Sequence, residues 1–130
     1  MKAFNNLLAY TLDNLGKPKG DENRIAMAIA GDDKNAKETV VRLINDTGFD
    51  AVDTGNLSQS WRQQPGTPAY CTELNATELK QALSDGITEN AAQIRDVVIN
   101  KIIGLGATPP SHEDIIEFNR SLFPKNPKGV

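Results

Sequence analysis

The stretch from Arg24 to Asp53 constrains the fold more than any other part of the chain. Arg24 to Gly31 is a short, almost uniformly apolar run, closed by Asp32 and Asp33. A run of that length and ending reads as a strand buried on both faces, as in parallel sheets. Asp32 or Asp33 then offers an N-cap, its carboxylate accepting a free backbone N–H at a helix start. The helix is predicted over roughly residues 34–46, with Ala36, Val40, Leu43 and Ile44 forming one apolar stripe. Gly48 is its natural stop, and Phe49 to Asp53 forms a second short strand ended by Thr54-Gly55. Strand, capped helix, glycine and strand make a βαβ unit, with parallel strands and a right-handed crossover.

Around that unit the signals are more local. Lys2 to Asn6 reads as another strand end, and Leu7 to Leu15 as a short helix with Leu8, Leu12 and Leu15 on one side. Gly16 to Asp21 is a turn. Asn56 to Thr72 shows neither period and holds Pro65, Gly66 and Pro68, so a long loop is expected, of the kind that is commonly functional. The rest reads as helical. Leu79, Ala82 and Leu83 mark one helix; Ile94, Val97, Val98 and Ile102 mark a second, stopped by Gly104 and Gly106 before Pro109-Pro110. Ser111 caps a third, with Asp114 reaching back and Ile115, Phe118 and Leu122 on its apolar side; Pro124 to Pro127 ends it. The expected class is therefore α/β: a short parallel βαβ sheet, partly Rossmann-like, over residues 1–72, then a helical extension over 73–130. So small a parallel sheet leaves edges and a face to be covered, by the helices or by another chain.

Composition removes several functions. One cysteine (Cys71) and one histidine (His112) exclude a disulfide scaffold and a self-contained Cys/His zinc site. A net charge of −3 and a pI near 5.1 argue against a general nucleic-acid binder. No apolar run approaches the ~20 residues that span a bilayer, and Met1 to Asn6 is no signal peptide, so a cytoplasmic protein without a membrane partner is expected. With 38% hydrophobic residues and only one Trp, two Tyr and four Phe, the core must rest on aliphatic side chains.

Individual reactive residues carry little chemistry. Gly104 to Pro109 follows a helix and precedes prolines, so it is a helix stop rather than a dinucleotide turn. His112 reads as an exposed residue of a capped first turn, tending to be neutral there. Cys71 reads as an ordinary small residue, and Asp32-Asp33 as caps. The segment Ser60 to Tyr70 is the densest polar and aromatic cluster. It reads equally as a ligand-side loop or as a surface loop folded over the sheet edge.

Several strings, taken in order, resemble one family. They are Lys2-Ala3-Phe4-Asn5; Ala30-Gly31-Asp32-Asp33 with Ala36-Lys37; Gly48 to Asp53 with Gly55-Asn56-Leu57; and Gln63 to Pro68 with Tyr70. Together they resemble the latter half of bacterial NADP-binding oxidoreductases of the deazaflavin-dependent NADP reductase type. Up to Asn56-Leu57 they are also similar to the reductase domain of transmembrane metalloreductases. The resemblance implies that Lys2 to Asn5 ends a central strand approaching the nicotinamide. Ala3, Phe4 and Asn5 are then cofactor contacts, with Asn6 at a position often taken by threonine. Gln63, Gln64, Pro65 and Tyr70 would lie on the substrate side.

In such enzymes hydride chemistry belongs to the cofactors, and no catalytic side chain and no metal ligand is named. The glycine-rich half that cradles the nucleotide would precede residue 1. The implied function is the C-terminal part of an NADP-dependent oxidoreductase, with hydride passing between NADP(H) and a flavin-like or other acceptor. Alone, it should bind NADP poorly. Its implied partners are a complementary N-terminal Rossmann half or a second copy; the alternative is a non-catalytic dimerisation or interaction module derived from that family.

Overall fold

The computed structural model describes residues 1–123. Elements follow the chain as α1 (Ala9–Asn14), β1 (Ala26–Ala30), α2 (Lys34–Asp46), β2 (Asp50–Gly55), a 3-10 helix (Leu57–Gln63), α3 (Ala76–Asp85), α4 (Thr88–Gly104) and α5 (His112–Ser121). β1 and β2 pair in parallel, Ala26 opposite Asp50 through Ile29 opposite Asp53, with an irregularity before Ala30. The class is thus α/β, a short βαβ unit followed by helices.

All five residues of β1 are buried, because the sheet is covered on both faces. Strand alternation sends Met27 and Ile29 to one face, where they pack with Ile44, Phe49 and Leu7 under α2. Ala26 and Ala28 point to the other face, against Val52, Ala69, Leu74 and the α3 residues Leu79, Ala82 and Leu83. This second core crosses the expected boundary at residues 72/73. α3 is therefore the second covering layer of the sheet, and the helical extension proper consists of α4 and α5.

Local chemistry explains the ends. Asp33 is the N-cap of α2, its carboxylate accepting from the Ala36 N–H at 2.7 Å. Gly48 follows α2 at φ +101°, in the left-handed region that favours glycine. Asn75 and Glu78 form a capping box on α3, and Ser111 and Asp114 form one on α5.

Several expectations need correcting. Val40, Val41 and Ile44 form the inner stripe of α2; Ala36 is exposed and Leu43 is 52% exposed. The helix phase is set by Ile44 against Phe49 and Ile29, and Leu43 lies a quarter-turn or so away. Residues 56–72 are not structureless, since 57–63 form a 3-10 helix. Lys2 to Asn6 is no strand: Lys2 alone bridges Ala30, antiparallel, before Phe4 turns the backbone at φ +58°. In α4, Ile94 and Val98 are half-buried but Val97 and Ile102 are exposed, and the buried residue is Ala91. In α5 the buried residues are Ile116 and Asn119, while Ile115, Phe118 and Leu122 are half-buried. The predicted stop at Pro124 to Pro127 lies outside the described residues. No helix among the described residues is long and apolar enough to cross a membrane.

Candidate functional site: an amide network at the sheet edge

β1 has one edge on β2; its other edge is completed by groups that belong to no strand. The N–H groups of Ala26, Ala28 and Ala30 donate to the Leu74 carbonyl (2.8 Å), Asn6 Oδ1 (3.1 Å) and the Lys2 carbonyl (2.9 Å). The Ala28 carbonyl accepts from Gln63 Nε2 at 3.2 Å, and the Ala30 carbonyl from the Lys2 N–H at 2.7 Å. Two side-chain amides therefore stand where a neighbouring strand's backbone would stand. This satisfies buried polar groups that would otherwise be left without partners.

Gln63 is the hub. Its Nε2 also donates to Asn5 Oδ1 at 2.9 Å, with the Lys2 carbonyl at 3.4 Å. Its Oε1 accepts from Thr54 Oγ1 at 2.9 Å, and its backbone carbonyl accepts from Asn5 Nδ2 at 2.7 Å. Asn6 extends the network, donating from Nδ2 to the Ala69 carbonyl and accepting from the Cys71 N–H through its own carbonyl.

The structure thus brings together Asn5 and Gln63, two residues expected on opposite sides of a ligand, and joins them directly. Gln63 is fully buried and so presents no group to a substrate; its amide is consumed by β1 and Asn5. Ala3 is half-buried and packs on the core beneath α2. Phe4 and Pro65 are exposed, Gln64 is half-buried, and Tyr70 is half-buried beside Cys71. Burial pushes the Cys71 thiol up to about 12, the Tyr70 hydrogen bond opposing that rise and the Glu73 charge adding to it. The Tyr70 hydroxyl is also raised, chiefly by burial and then by Cys71. Neither supplies an anion at neutral pH.

A second polar cluster has no signature in the sequence. Glu73, in the left-handed region at φ +49°, accepts from Thr11 Oγ1 at 2.9 Å and contacts His112 Nε2 through the same oxygen. Tyr10 lies on the His112 ring with centroids 4.5 Å apart, and Arg120 Nε donates to the Thr72 carbonyl at 2.8 Å. The expectation that His112 is exposed is corrected: its side chain is 11% exposed, because this contact docks α5 onto the body. Its Nδ1 is buried without a hydrogen-bond partner among the described residues.

The residues present do not form a nucleotide cradle. Phosphate sites use free N–H groups at a helix start. Here Asp33 already caps α2, and Asp32 beside it accepts from the Leu57 N–H at 3.0 Å. The α3 and α5 starts are closed by their capping boxes, and α4 begins with Glu89 in its first turn. Among the described residues no group of three or more His, Cys, Asp or Glu side chains could hold a metal ion.

Fold and network define a small α/β protein whose two-stranded parallel sheet is sealed along one edge by two side-chain amides together with the Lys2 and Leu74 backbone. The chain is 38% identical to protein YjhV of Escherichia coli (strain K12) over 111 residues, covering 85% of this chain and 80% of that protein. It belongs to the same family as that protein. No family model and no solved structure matches the chain.

Proposed function

We propose that this chain is the C-terminal part of an NADP-dependent oxidoreductase of the deazaflavin-dependent NADP reductase type. In this reading a complementary Rossmann half holds the nucleotide. Lys2 to Asn5 is the segment through which the two parts join, at the edge of β1. The supporting observation is the Asn5–Gln63 contact. It unites Lys2-Ala3-Phe4-Asn5 and Gln63 to Pro68, two of the strings that carry the family resemblance, across 58 residues of chain. The exposed members of those strings, Phe4 and Pro65, would be the ones left to face a bound partner or acceptor. The carboxyl ends of β1 and β2 lie in the same region, where ligands of open α/β sheets bind.

The carboxylates at the start of α2 assign no phosphate to this chain, so isolated protein should leave NADPH fluorescence unchanged. Mixed or co-expressed with the N-terminal Rossmann half of a deazaflavin-dependent NADP reductase, it should restore saturable NADPH binding. A stable reconstituted pair that binds no NADPH would reject the reading.

A further inference from the structure

Among the described residues, the outer edge of β2 is the one place where the sheet remains open. The Asp50 N–H donates to the Ile25 carbonyl, so residues 50 and 52 turn their backbone groups toward β1; past the irregularity Gly55 does so, its carbonyl accepting from the Gly31 N–H at 3.0 Å. Ala51 and Asp53 turn theirs outward, where no partner meets them among the described residues. Such an edge is a template for a further strand.

Two grooves flank it, one on each face of the sheet. The groove beside α2, about 440 Å³, has Ile29 and Val41 in its wall and Lys34, Lys37, Arg42 and Glu38 around it. The groove beside α3, about 280 Å³, is lined by Val52, Thr54, Arg62, Lys80, Leu83 and Ser84. Asp53 borders both. Alternate side chains of an added strand would enter the two grooves in turn. Together they carry five cations and two carboxylates, a local excess of positive charge in a chain of net charge −3. Asp53 is already engaged by Lys37 at 3.0 Å, which leaves Lys34, Arg42, Arg62 and Lys80 without a carboxylate partner among the described residues.

We propose that the β2 edge is a strand-addition site for an extended acidic segment of a partner protein. Backbone hydrogen bonds to Ala51 and Asp53 supply the pairing. Carboxylates toward Arg62 and Lys80, with apolar side chains over Val41, supply the selectivity. The same charge argues against a second copy on this edge, since two β2 edges would face each other with like-charged rims.

Fluorescence polarisation with a fluorescein-labelled eight-residue peptide of alternating valine and glutamate tests this. Saturable binding is expected, weakened by salt and weakened about fivefold by the charge reversal Lys80→Glu. N-methylating every second residue of the peptide should abolish binding to the unaltered protein, which separates strand pairing from surface charge attraction. The proposal is overturned by absence of binding, by equal binding of a valine–lysine peptide, or by unchanged binding of the N-methylated one. Sedimentation of the free protein as a dimer that the acidic peptide cannot enter would also overturn it, in favour of a second copy.

Discussion

Asn5 and Gln63 are locked together by two hydrogen bonds, the Asn5 amide donating to the Gln63 backbone carbonyl and the Gln63 amide donating back to Asn5 Oδ1. Because the same Gln63 amide also reaches the Ala28 carbonyl, this pair fastens the N-terminal segment to the central strand.

Gln63→Leu is close in size but removes every contact of the side-chain amide, leaving only the Asn5 donation to the backbone carbonyl. It strands the Ala28 carbonyl in the interior and takes the acceptor from the half-buried Thr54 hydroxyl, and an unmade buried hydrogen bond costs ~1–3 kcal/mol. A loss of about 3 kcal/mol or more is expected in urea unfolding at neutral pH. A variant as stable as the parent would show that the amide merely fills space.

Gly66 stands at φ +87°, and a Cβ there would fall 1.9 Å from the Ala91 carbonyl oxygen of α4. Gly66→Ala must therefore push α4 off the turn, with an expected cost of more than ~3 kcal/mol or failure to fold. Gly104→Ala meets nothing within 4 Å at the last residue of α4. It should leave the melting temperature unchanged or raise it slightly. Thermal denaturation of the two variants side by side decides.

Cys71 has a consequence for alkaline stability. Its folded-state thiol ionises only near 12, against an ordinary thiol value of ~8.5 in the unfolded chain. The unfolded state therefore releases its proton first, and stability should fall as pH rises from about 9 toward 11. Cys71→Ala should flatten that slope. The parent thiol should react with a disulfide reagent at pH 8 only after denaturant is added, and rapid labelling of native protein would contradict the buried assignment.

Glu73 serves α1 and α5 at once, through Thr11 and His112. Glu73→Ala leaves both donors without their acceptor and should cost about 2–3 kcal/mol. The effect should be local: hydrogen exchange should accelerate in α5 and leave β1 protected. Uniform acceleration across the chain would mean that α5 is not a separately docked element.

What could be read from the sequence was what nearby residues decide. β1, α2 and β2 were legible because an apolar run, a capping Asp33 and a stopping Gly48 each act within a few residues. The same holds for the Ser111–Asp114 box and for Leu79, Ala82 and Leu83. The phase of α2 was harder, because whether Leu43 or Val41 faces inward depends on where Phe49 and Ile29 sit. The amide network was illegible for a stronger reason. Nothing local in Gln63 distinguishes a ligand-side amide from one that completes a strand 35 residues away. The Glu73–His112 contact, across 39 residues, is equally hidden.

The side-chain sealing of β1 also bears on how such a protein can change. A boundary made from backbone moves only when segments are inserted or lost. Here the ends of the boundary are held by the Leu74 and Lys2 backbone but its middle by the Asn6 and Gln63 side chains, so a single-codon change at either position frees a backbone group of Ala28 without moving the ends. The seal of this sheet is open to point mutation at its centre and fixed by the chain path at its two ends.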